Sequence, residues 1–135
     1  MRTLRGQSLV EFALILPILL ILLMGILDFG RAIAAYNSVS NAARSAARVA
    51  VVDQNEAVVD QAAIDEAFGL NLTPDDVEFD PNVNGDDPCA LQVCEVEVTV
   101  QYTYTAATPV IGSIVGPITV SSATRLPIER EYVSP

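Results

Sequence analysis

The chain contains no histidine, no lysine and no tryptophan, and only two cysteines in its 135 residues. Without histidine the commonest general base is missing. Serines and carboxylates are present, but without histidine or lysine they assemble no familiar nucleophile–base pair, so no enzymatic activity and no cofactor are expected. Basic residues are scarce as well: seven arginines face seventeen Asp and Glu, for a formal charge of −10. A domain this acidic repels phosphate backbones, which argues against nucleic acid as a partner. The length suits one domain with a tail and is too short for two sizeable cores.

Charge is absent altogether from residues 12 to 27, FALILPILLILLMGIL. Arg2 and Arg5 precede this run, and the first acidic residue is Glu11, at its very start. A basic head before an apolar run is read by secretion machinery and stays on the cytoplasmic side. The run from 12 to 27 is short of the roughly 20 residues that span a bilayer. Extended from Leu9 to Phe29 it is long enough, with Glu11 and Asp28 at the two interfaces. A carboxylate beside hydrocarbon is costly, so Glu11 implies a partner that compensates for it. An ordinary signal peptide is the competing reading, with Ala32-Ile33-Ala34 as an A-x-A cleavage site. Against it stand Asp28 and Arg31, between the apolar run and that site, and a helical pattern that continues beyond it.

Helical patterning extends from Gln7 to about Asp53, which at 1.5 Å per residue is about 70 Å, far more than a bilayer needs. Pro17 removes one backbone hydrogen bond and is expected to kink or loosen this helix. Beyond Phe29, Ala32, Tyr36, Val39, Ala43, Ala46 and Ala50 form one stripe, and Asn37, Asn41, Arg44 and Arg48 another. Asp28 and Arg31, one turn apart, read as an interfacial salt bridge of small net value. Asp28-Phe29-Gly30 also spells a kinase motif, but nothing else of that set is present.

A second helix is expected over 55–68, capped by Asn55 and stopped by Gly69, with Ala57, Ile64 and Phe68 facing inward. Residues 77–80 read as a short strand, 91–105 as the clearest strand, and 118–126 as the last. In the long strand Cys94, Val96, Val98, Val100, Tyr102 and Tyr104 occupy one face, which is expected to meet the helix. The connection 106–117 contains the apolar stretch Val110-Ile111-Gly112-Ser113-Ile114-Val115. It is expected either near the membrane, against a partner, or buried under the sheet edge.

Cys89 and Cys94, placed outside the cytoplasm by this orientation, are expected to form a disulfide, with free thiols as the alternative. No metal site is expected of them, because no further cysteine or histidine completes four ligands. Asp80, Asn82 and Asn84, before Gly85, fit the opening of a calcium loop, but Leu91 stands where its twelfth-position glutamate belongs. The same residue types are what any hairpin turn selects.

The residues Gly6, Gln7, Glu11 and Phe12, followed by Leu16-Pro17, Asp28-Phe29-Gly30-Arg31 and Tyr36-Asn37, resemble the start of TadE-like pseudopilins of tight-adherence (Tad) pili. The resemblance covers residues 6 to 50 and is loose beyond. It implies an α+β, type IV pilin-like fold: a long hydrophobic helix, transmembrane and then amphipathic, on a small antiparallel sheet with one further short helix. It implies a leader over 1–6, a transmembrane and filament-core helix over 7–29, its amphipathic continuation over 30–53, and a globular domain over 54–135. A prepilin peptidase would cut between Gly6 and Gln7, and Glu11 and Phe12 would serve processing and assembly.

The implied partners are other pilin subunits through the N-terminal helix, the prepilin peptidase, the pilus assembly platform and the membrane. The implied location is the cytoplasmic membrane, with the C-terminal domain outside, and then the extracellular pilus. The function expected is that of a minor pilin that primes or joins a Tad pilus used in surface adhesion. Two alternatives accompany it: the main filament subunit, and a secreted or anchored small binding domain with an ordinary signal sequence.

Overall fold

The structure, a computed structural model, describes residues 4–81, 83 and 95–128. Its backbone is one long helix, α1 (Leu4–Ala50), followed by α2 (Glu56–Glu66), β1 (Val77–Asp80), β2 (Glu95–Tyr104), α3 (Pro109–Val115) and β3 (Ile118–Pro127). A single 3-10 turn, Pro74–Asp76, leads into β1. The fold is α+β and pilin-like, with the long apolar helix and the small antiparallel sheet that the sequence implies.

α1 runs through Pro17 and stops three residues before the expected Asp53. Asn55 then caps α2, its side-chain oxygen accepting from Ala57 N at 3.2 Å. The strands lie in the order β1-β2-β3, both pairs antiparallel. Val77 pairs with Val100, and Tyr104 pairs with Ile118, so β2 and β3 form a long hairpin whose connection carries α3.

The core lies between the second half of α1 and the elements laid on it. Val39, Ala42, Ala43, Ala46, Ala47 and Ala50 are fully buried on the α1 side, against Val96, Val98 and Val100 of β2 and Val59 and Ala63 of α2. Alanine suits this seam because it leaves no side chain to hold the sheet and α2 away from the helix backbone. The contact face of β2 is the one that alternation marks, with Val96, Val98, Val100 and Tyr104 buried and Tyr102 partly so. Cross-links of Ser40 Oγ to Ser122 Oγ (3.1 Å) and of Ser38 Oγ to the carbonyl of Phe68 (3.1 Å) fix β3 and the α2–β1 connection to α1.

Three expectations are corrected. Tyr36 is exposed and Ala35 is buried in its place, because the seam passes through Asp28, Ala35 and Val39 and leaves Tyr36 on its flank. α2 and its C-cap turn inward through Val59, Ala63 and Ala67, spaced by four, and Ile64 packs on the core as expected; Ala57 is exposed and Phe68 is 94% exposed. Phe68 lies past the end of α2, where helical periodicity no longer governs its direction. The connection 106–117 is not simply a loop, since it contains α3.

Candidate functional site

Two surfaces set this molecule apart from an ordinary small domain. The first is α1 before Asp28. Every described side chain from Gly6 to Leu20 is exposed, including Leu9, Phe12, Leu14 and Ile18, each more than 60% exposed. This segment is long and apolar enough to cross a membrane, and none of its most apolar window is covered by the rest of the chain. Isolated apolar side chains on a surface are ordinary, but a continuous patch of this extent marks contact with lipid or with other protein. Glu11 is exposed near its start, one residue before Phe12, and Gly6-Gln7 lie in the first turns of the same helix.

The second surface begins where the first ends. Asp28 is 5% exposed and is the charged residue recorded as buried among the described residues. One carboxylate oxygen accepts from Ala107 N at 3.1 Å, and the other from Thr108 N at 3.2 Å and from the Thr108 hydroxyl. The Tyr104 hydroxyl donates to the backbone carbonyl of Asp28 at 3.0 Å. Four bonds thus tie the membrane-proximal end of the β2–β3 hairpin to one turn of α1. The expected Asp28–Arg31 salt bridge is replaced by this latch: Asp28 spends its oxygens on Ala107 and Thr108, and the exposed Arg31 acts on it through charge alone. Backbone N–H donors that would otherwise be orphaned by the turn outcompete an exposed guanidinium for a buried carboxylate. Burial, then the nearby Asp28 charge, raises the Tyr104 phenol above its usual value and keeps it a proton donor.

α3 leaves this latch directly. Thr108 precedes Pro109 at its first position, and Gly116, at φ 72°, ends it. This is a helix signature that the sequence displays in plain form: Thr, then Pro, then a glycine after about two turns. The intervening apolar run hides it, because seven residues are too few for a period to stand out. Ile111 lies over Gly25 of α1, so near that a Cβ placed on Gly25 would be 3.7 Å from Ile111 Cδ1. A mainly apolar groove of about 260 Å³ runs between the two helices, lined among others by Phe29, Ala32 and Val115.

The remaining site residues divide simply. Asp80 ends β1, while Asn82 and Asn84 fall outside the described residues, and so do Cys89 and Cys94 with their expected disulfide. Among the described residues no group of three His, Cys, Asp or Glu is placed to hold a metal ion. Arg125 and Glu97 pair across β2–β3 at 3.1 Å, which raises the Arg125 pKa mainly through that hydrogen bond. Asp60, on α2, has one carboxylate oxygen buried without a hydrogen-bond partner. Burial first, and the charge of Glu56 second, push its pKa upward.

A membrane-capable helix left bare over its first half and latched through its second half to a small antiparallel sheet defines a pilin-like protein. Residues 6–48 match the model of the family described as TadE-like protein. The matched stretch takes in the bare half of α1, the Asp28 turn and most of the alanine seam. It supports a pilin-like role associated with the Tad pilus, with the N-terminal helix as membrane anchor. No curated protein and no solved structure matches the chain.

Proposed function

We propose that this protein is a minor pilin that primes or joins a Tad pilus serving surface adhesion, after a prepilin peptidase removes the segment through Gly6. The observation that carries the proposal is the exposed apolar surface of α1 from Leu9 to Leu27, with Glu11 at its head, inside the TadE-like match. In a bilayer that surface needs no protein partner. Once the subunit leaves the bilayer, the same surface must be buried, and equivalent helices of neighbouring pilins supply the matching cover. Exposed apolar area of this kind contributes about 25 cal/mol per Å² when removed from water.

Glu11 then gives direction to the association. A carboxylate in an apolar bundle is tolerated only when paired. Cleavage after Gly6 creates an ammonium group on Gln7, and the terminus of a neighbouring subunit provides the cation, which sets the stagger between helices. The assembly platform would receive the subunit from the membrane, with residues 54–135 on the outer side.

The test is the Glu11→Ala variant of the full chain in its native envelope. The domain should remain folded, because Glu11 lies far along α1 from the core, while pilus number per cell falls severely. Wild-type piliation in that variant would refute the pairing. Filaments composed mainly of this chain would identify it as the main subunit instead of a minor one.

A further inference from the structure

We propose that α3 is a second membrane contact, an apolar tip that the Asp28 latch seats in the interfacial layer of the bilayer beside the α1 span. The proposal rests on the membrane-anchored reading of α1 and extends it to the globular domain.

Position is the first argument. The cross-link of Ser40 to Ser122 and the bond from Tyr104 to Asp28 show the hairpin descending along α1 toward the apolar run. α3 lies at its lowest point, with Ile111 against Gly25, one turn inside the Asp28 level. Phe29 and Ile26 of α1, at 68% and 60% exposure, belong to the lipid-facing surface at this height. The exposed side chains of α3 continue that surface: Ile114 is 78% exposed, Val115 54%, and Ile118 just beyond it 43%.

Charge is the second argument. The chain as a whole carries −10, yet no charged residue occurs between Glu97 and Arg125, the stretch that includes α3 and both hairpin arms beside it. Among the described residues, α3 and the strand ends beside it carry no carboxylate, and Asp28 at their foot is buried and latched. An acidic domain held near anionic headgroups is repelled, and a tip emptied of carboxylates is where approach costs least. The exposed Arg31, next to the Tyr104 end of the hairpin, adds a cation at headgroup height. Apolar side chains with this disposition bury into the headgroup–acyl boundary. A neighbouring copy of the chain is the competing occupant, but it would have to cover Ile114 while leaving the lipid-facing residues of the same height to the bilayer.

The absence of tryptophan makes a direct test available. Three single variants of the full chain, Leu19→Trp, Ile114→Trp and Val52→Trp, are placed in phosphatidylcholine–phosphatidylglycerol vesicles carrying bromines at shallow or deep acyl positions. Leu19 reports the span, and Val52, 89% exposed past the far end of α1, reports water. The expected result is deep quenching for Leu19→Trp, severalfold stronger shallow quenching for Ile114→Trp than for Val52→Trp, and quenching of Val52→Trp by aqueous acrylamide only. Ile114→Trp behaving as Val52→Trp, with Leu19→Trp still quenched, overturns the proposal and leaves the anchor intact. Shielding of Ile114→Trp that grows with protein density instead of bromine content overturns it in favour of a second copy. If Leu19→Trp escapes the bromines, the anchored reading fails and the proposal with it. Val115→Trp, checked for fold by circular dichroism, repeats the measurement should Ile114→Trp not fold.

Discussion

Asp28 joins the two halves of the molecule through bonds that a salt bridge to Arg31 could not provide. Its carboxylate satisfies two adjacent backbone N–H groups that the turn after β2 leaves without strand partners. Replacing it by alanine strands those donors, which costs about 1–3 kcal/mol. Asp28→Ala should therefore speed amide exchange at Ala107 and Thr108 severalfold more than in the alanine seam, and uniform exchange would contradict the latch. The sequence exposed Asp28 as unusual but not its partners, because Ala107 and Thr108 are some eighty residues away and offer backbone atoms that no motif advertises.

Asp60 presents the opposite case. Its folded pKa is raised, so the native state holds the proton more tightly than the unfolded chain does. Any stability tied to the protonated form is present at low pH and lost as pH rises through the raised value. Asp60→Asn should thus stabilise the domain modestly at neutral pH, and the advantage should vanish as pH falls into and below the ordinary carboxylate range. Denaturant midpoints of both proteins across that range provide the check, and an advantage independent of pH would contradict the assignment.

Among the elements, α1 and β2 were the most legible, since each repeats its period over enough residues for a face to emerge. The buried valines of β2 are those that alternation selects, and the alanine seam keeps Val39, Ala43, Ala46 and Ala50 of the expected stripe, adds Ala35, Ala42 and Ala47, and leaves Ala32 half-buried and Tyr36 exposed. Of the expected inward face of α2, Ile64 does pack on the core, while Ala57 and Phe68 give way to Val59 and Ala63, because the helix ends before Phe68 and spacing favours the latter pair. α3 is too short for a period to mark it, and only its Thr-Pro start and glycine stop signal it in the sequence.

Two substitutions test how these elements are held. Ala46 is fully buried between α1 and the elements packed on it. Ala46→Leu should lower stability by about 1–3 kcal/mol through overpacking, measured by denaturant unfolding; a neutral outcome would mean that the seam has room. Gly116 combines φ 72° with ψ −169°, a region accessible essentially to glycine alone. Gly116→Ala should cost about 1–3 kcal/mol and raise amide exchange in α3 before that in β2. Equal protection in the two elements would contradict its role as the stop of α3.

At the scale of the whole molecule, the chain is divided by solvent. The first half of α1 is bare and apolar, the second half carries a compact acidic domain, and Asp28 marks the boundary. On the proposed function, such a division lets the subunit pass from lipid to filament without refolding, because the domain touches the bare half only at its edge, where Ile111 lies over Gly25. This division was visible in the sequence as a change from an uncharged run to alanine and arginine stripes along one continuous helical pattern. What the sequence withheld was the position of the hairpin tip, since placing residues 105–118 beside residues 25–29 requires the three-strand register and the Asp28 bonds together.

The most direct test of the pilin account is the mass of the intact mature protein taken from its native envelope. Processing by a prepilin peptidase predicts a chain that begins at Gln7, with its amino terminus free or methylated, and that retains the apolar half of α1. A chain beginning near Ala35 would contradict the account, because cleavage after Ala32-Ile33-Ala34 removes the surface on which filament assembly depends.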